Sequence, residues 1–107
     1  LTAEDCWLND DDMLNIGKLT KIEQLELAGN AITNKNLSAL LNLPKLKKLS
    51  LSSNNITPEA LPVLMKLRVG NTMYFPQQFW TPATKAAMCK RFGANNLGQD
   101  KDNEPQK

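Results

Sequence analysis

Three adjacent aspartates (Asp10-Asp11-Asp12), two cysteines (Cys6 and Cys89) and a recurring amide or thiol position are the residues of this chain with chemistry to offer. Neighbouring carboxylates can gather a divalent cation, but a calcium loop alternates its ligands along the backbone. The unbroken run instead suits the first turn of a helix, where unpaired N–H groups and the helix dipole favour negative charge. The two thiols stand far apart and in no metal-ligand spacing. Histidine is absent, which removes the commonest general base, the Ser-His and Cys-His nucleophile pairs and the commonest zinc ligand. No metal site, cofactor or catalytic centre is expected.

Bulk composition narrows the partners further. The 107 residues are 41% hydrophobic and 22% charged, without an apolar run of the roughly 18 residues that a membrane-spanning helix requires. The net charge of +2 comes from 13 basic and 11 acidic residues scattered over the whole chain, so neither nucleic acid nor membrane is an expected partner. Two sequons, Asn36-Leu37-Ser38 and Asn55-Ile56-Thr57, matter only in a eukaryotic secretory setting, for which no leader is visible. Unpaired cysteines favour a cytoplasmic location.

These residues are positioned by a repeat. Ile22 to Ile32 reads IEQLELAGNAI and Leu46 to Ile56 reads LKKLSLSSNNI, so Leu25 aligns with Leu49, Leu27 with Leu51, Asn30 with Asn54 and Ile32 with Ile56, each at an offset of 49 − 25 = 24. The same interval carries the columns to Leu1, Ala3, Cys6 and Leu8 on one side and to Met73, Phe75, Gln78 and Trp80 on the other, giving four units. Alternation of Leu25 and Leu27 about Glu26 predicts a short strand with one buried face, whereas Leu37, Leu40 and Leu41 predict the apolar face of a helix. Asn9, Thr33, Thr57 and Thr81 are expected as helix N-caps, with Pro58 and Pro82 at the first helical position. A unit of this size cannot bury its own apolar face, so the units must stack, with Ile16, Leu40, Leu64 and Met88 forming a further core column.

The pattern L-x-x-L-x-L-x-x-N/C-x-L/I, carried by Ile22, Leu25, Leu27, Asn30 and Ile32 and again by Leu46, Leu49, Leu51, Asn54 and Ile56, resembles the leucine-rich-repeat family. Units of 24 ending in Ile56-Thr57-Pro58 are similar to bacterial proteins of that type. The resemblance implies an α/β right-handed solenoid, with a parallel strand ladder and helices on its convex side. Four units would occupy residues 1–93, the helix from Pro82 to Phe92 serving as C-terminal cap, and residues 94–107 would form a flexible polar tail. Gln78, Gly70 and Lys85 depart from the pattern in the last units. Pro76 is expected to mark the fourth strand as the final edge, with Lys85 and Arg91 exposed because nothing covers that helix. The chain begins inside a strand signature, which raises the expectation of a missing upstream segment.

In the family the Cys6, Asn30, Asn54 and Gln78 column turns the chain out of the strand and bonds neighbouring backbone, so a structural turn ladder is expected there. A Cys6–Cys89 disulfide fails on distance, since three layers at about 4.8 Å each exceed the reach of about 7 Å between bridged Cα atoms. Parallel stacking would leave a curved strand face bearing Thr2, Glu26, Ser50 and Tyr74, beside Gln24, Lys48 and Thr72, and beside Glu4, Ala28, Ser52 and Pro76. The chain is therefore expected to be a monomeric, non-enzymatic protein–protein interaction module. Gln24, Glu26, Lys48, Ser50, Thr72 and Tyr74 are the expected contacts. Trp7 and Phe79 are candidate exposed anchors, although Phe79 equally suits packing over the end cap and Trp7 has the same ambiguity. Two alternatives stand beside this: the repeats as the targeting part of a larger enzyme or effector, or a structural, self-assembling solenoid.

Overall fold

The computed structural model describes residues 1–67, 72–93 and 96–98. Its centre is a parallel sheet of strands β1 (Gln24–Glu26), β2 (Lys48–Ser50), β3 (Thr72–Tyr74) and β4 (Leu97–Gly98), paired in that order. The register sets Leu25 against Leu49, Leu49 against Met73 and Met73 against Leu97, and a single bridge adds Thr2 beside Glu26. Every step is the 24-residue interval. The leucines of the pattern face the helical side, and Leu25, Leu27, Leu49, Leu51, Met73 and Phe75 are buried there with Ile32 and Ile56. Ile16, Leu40, Leu64 and Met88 close the core from the helices. Burial of a side chain of this size contributes about 1.5–3 kcal/mol, so the repeated columns carry the stability of the stack. At the first layer Leu1 is exposed.

β4 corrects the expectation that the fourth strand is the last. Leu97 and Gly98 belong to the segment expected as a tail, yet they pair with Met73 and Tyr74. Residues 94, 95 and 99–107 of that segment lie outside the described residues, as does Gly70. Pro76 needs no edge to be tolerated, since β3 ends at Tyr74. It precedes a 3-10 turn, Gln77–Phe79, where its missing N–H breaks no pairing and its carbonyl accepts from Phe79 N at 3.0 Å.

Between strands the chain returns through α1 (Asp10–Ile16), a 3-10 helix over Leu37–Asn42, a second 3-10 turn over Pro58–Ala60 leading into α2 (Leu61–Leu64), and α3 (Pro82–Phe92). A 3-10 helix has three residues per turn, so Leu37, Leu40 and Leu43 share the buried face. Leu41, expected on that face, is turned outward and is 36% exposed. At the ends, Asn9 and Thr81 cap α1 and α3 with reciprocal bonds to Asp12 and Thr84. Pro58 and Pro82 take the first-turn positions expected of them. Gly93 closes α3 at φ +90°, a left-handed conformation that costs glycine least. Lys85 and Arg91 are exposed, but Arg91 is engaged. Its guanidinium donates to the Met65 carbonyl at 3.3 Å and the Leu67 carbonyl at 3.2 Å, serving backbone that α2 leaves without helical partners.

Candidate interaction face

The sheet side opposite the leucines carries two in-register rows, Gln24, Lys48 and Thr72 in one and Glu26, Ser50 and Tyr74 in the other. Gln24 is exposed, while Glu26, Lys48, Thr72 and Tyr74 are half-buried. Glu26 ties this surface together, accepting from Thr2 Oγ1 at 3.1 Å and pairing with Lys48 Nζ at 3.0 Å. Both polar side chains are thereby held in place on the strands, which suits a surface that meets a partner with little further ordering.

Ser50 departs from the expected contact set. It is 1% exposed, flanked in register by the much larger Glu26 and Tyr74, so it offers almost no surface for contact. Ser52 is 3% exposed and Pro76 is also buried. Among the described residues, Ser50 Oγ and Ser52 Oγ are buried without a hydrogen-bond partner. An orphaned hydroxyl stabilises nothing, so Ser50→Ala is expected to leave unfolding free energy unchanged or raise it by about 1 kcal/mol. Urea unfolding measures this, and a loss above that size would mean that the hydroxyl is satisfied in solution.

The aromatic candidates separate. Trp7 is 88% exposed, on backbone at φ +61°. Phe79 is fully buried and is no anchor. The 3-10 turn winds it inward, where its ring centroid lies 5.1 Å from Phe75 and 5.0 Å from Trp80. Trp80 keeps its place against the core and Tyr74 its place on the open face.

Behind the face, the expected turn ladder is present, with its weight on the two asparagines. Asn54 Nδ2 donates to the carbonyls of Leu27, Ser52 and Leu51 at 2.8, 3.1 and 3.2 Å, and its Oδ1 accepts from Ile32 N at 3.1 Å. Asn30 repeats the arrangement one layer earlier, donating to Ala3 and Leu27 carbonyls and accepting from Cys6 N and Leu8 N. Cys6 contributes backbone and a thiol contact to its own Glu4 carbonyl. Gln78 is exposed and donates to the Asn54 carbonyl at 2.7 Å. Cys6 and Cys89 are free thiols.

A second polar ladder was hidden in the sequence by residues expected as caps. Thr33 N and Oγ1 both donate to the Asp10 carboxylate, at 2.8 and 2.6 Å. One layer on, Thr57 N donates to Asn34 Oδ1 at 3.0 Å, and Asn34 Nδ2 donates to Thr57 Oγ1. Thr33 and Thr57 therefore bond sideways to the previous layer; Thr33 Oγ1 also accepts from Lys35 N at 3.2 Å, but neither side chain caps a helix. Asp10 and Asn34 are 34 − 10 = 24 residues apart, and a polar side chain one position after each cap column was the available signal. For the aspartate run the helix-start reading holds, with Asp12 accepting from Asn9 N at 2.9 Å.

Strand, turn and helix recurring with equivalent residues stacked at a constant interval define a repeat protein of the α/β class. Residues 18–41 and 42–65 each match the family model described as Leucine Rich repeat, in the same 24-residue frame as the strand register, so the chain carries two consecutive leucine-rich repeats. No curated protein and no solved structure gives a significant match. Leucine-rich repeats commonly mediate protein–protein interaction, and the family is typically a binding module without catalysis.

Proposed function

We propose that this chain is a protein-binding module that holds its partner on the open face of the strand ladder, as a right-handed solenoid with that face concave and the helices convex. The observation that carries the reading is the register. It assembles Gln24, Lys48 and Thr72 beside Glu26 and Tyr74 from three separate units into one polar surface. An aromatic flanked by fixed polar groups is the usual make-up of an interface anchor.

The test is alanine substitution of these five residues, with affinity for the partner from the native host measured by calorimetry. Tyr74→Ala is expected to weaken binding by about 2 kcal/mol, roughly thirtyfold, and Glu26→Ala and Lys48→Ala by less. Helix-side controls at Ser38 and Glu59 should have no effect. Full affinity in all five variants, with loss at the controls, would overturn the assignment.

A further inference from the structure

Stacking sorts charges that look scattered in the sequence onto opposite rims of the ladder. Where strands lead into helices the rim carries Glu4, Asp5, Glu59 and the three aspartates, with Lys35 as the basic residue there. Where helices return to strands the rim is basic. Lys18, Lys66 and Lys90 share one column, at 66 − 18 = 48 and 90 − 66 = 24, and Lys21 and Lys45 share another, at 45 − 21 = 24. All five are exposed, and among the described residues none of them forms an ion pair. Glu23, the acid of this rim, is committed to Lys47 at 3.4 Å.

Helix dipoles account for only one member of the row, Lys90 in the last turn of α3. Their attraction fades within the last turn, and the last turns of α1, the Leu37–Asn42 helix and α2 hold no basic residue. Lys18, Lys21, Lys45 and Lys66 all lie beyond those turns. At the first-unit end of the row, Lys18, Leu19, Thr20, Lys21 and Ile22 line an open hollow of about 460 Å³. Its walls are the exposed Leu19, the half-buried Ile22 and the aliphatic stems of the two lysines, which can cover apolar surface while their ammonium groups stay in water.

We propose that this rim binds an acidic segment of a partner polypeptide, whose carboxylates lie along the lysine row and whose apolar side chain fills the hollow. The rim is separate from the residues proposed for the ladder face, and the inference stands without that reading. A phosphate backbone would use the lysines but leave the apolar hollow empty, which favours a peptide over a nucleic acid.

The probe is a short, fluorescently labelled peptide of glutamates around one phenylalanine, followed by anisotropy at low salt, where such contacts are least screened. Combined Lys18→Glu, Lys21→Glu and Lys45→Glu substitution is expected to weaken binding at least about tenfold. Replacing the peptide's phenylalanine by alanine should weaken it several-fold, its glutamates by glutamine should abolish binding, and Lys35→Glu on the opposite rim should change nothing. Circular dichroism verifies the fold, and single Lys21→Gln and Lys45→Gln variants provide milder versions of the same test. Peptide affinity unmoved by these substitutions would overturn the proposal. So would tighter binding of a single-stranded oligonucleotide, or of phosphatidylserine vesicles, at this rim.

Discussion

Replacing Asn54 with leucine is expected to lower unfolding free energy by about 3 kcal/mol, because similar volume is kept while the hydrogen bonds of a buried amide are lost. Ile32 N has Asn54 Oδ1 as its partner at 3.1 Å and sits within a fully buried residue, so its desolvation would go uncompensated. The Leu51 carbonyl loses its amide donor as well, while the Ser52 carbonyl retains Gly29 N at 3.0 Å and the Leu27 carbonyl retains Asn30 Nδ2 at 2.9 Å. In urea the midpoint should fall by about 1–2 M. Asn30→Leu should cost less, since Asn30 is half-buried and water can reach part of what it leaves behind. Equal and small losses at both sites would mean that the turns are held by something other than this ladder.

Truncating Phe75 to alanine is expected to cost about 4 kcal/mol, through lost transfer energy and the cavity left behind. The side chain is fully buried and forms a cluster with Phe79 at 5.1 Å and Trp80 at 5.9 Å between centroids, tilted contacts that add about 0.5–1.5 kcal/mol per pair. Phe75→Leu should cost about 1.5 kcal/mol. Fluorescence of Trp80 supplies a local readout, shifting to the red as its surroundings open, while Trp7 already lies in solvent. A phenylalanine removed at a cost below 1 kcal/mol would mean that the fourth layer is not packed in solution.

The parts of the fold legible in the sequence are those that depend on the interval itself. Leu25, Leu49 and Met73 could be placed because strand alternation and a constant spacing both point to one buried column, and a stack has few other ways to satisfy them. Leu97 was legible in principle, lying 97 − 73 = 24 residues after Met73, but no Leu-x-Leu pattern surrounds it and a polar neighbourhood concealed it. Features set by a neighbouring layer were harder to see. Ser50 is a small polar residue whose burial is decided by Glu26 and Tyr74 beside it. Thr33 and Thr57 are ordinary cap residues that bond elsewhere because Asp10 and Asn34, one layer before, present better-placed partners. Phe79 and Leu41 went astray for a third reason, the tight pitch of 3-10 turns, which rotates side chains relative to an α-helical expectation. The basic rim belongs to the same group, since lysines far apart in sequence converge only after stacking.

The proposed docking mode makes intrinsic reporters of three side chains on different surfaces, Tyr74 on the ladder face, Trp7 at the first-unit end and Leu41 on the helical side. Hydroxyl-radical footprinting of the protein, alone and in complex with its native partner, reads all three at once. Docking on the ladder predicts that Tyr74 loses reactivity on binding while Trp7 and Leu41 keep theirs; protection of Leu41 or Trp7 with Tyr74 unchanged would contradict it.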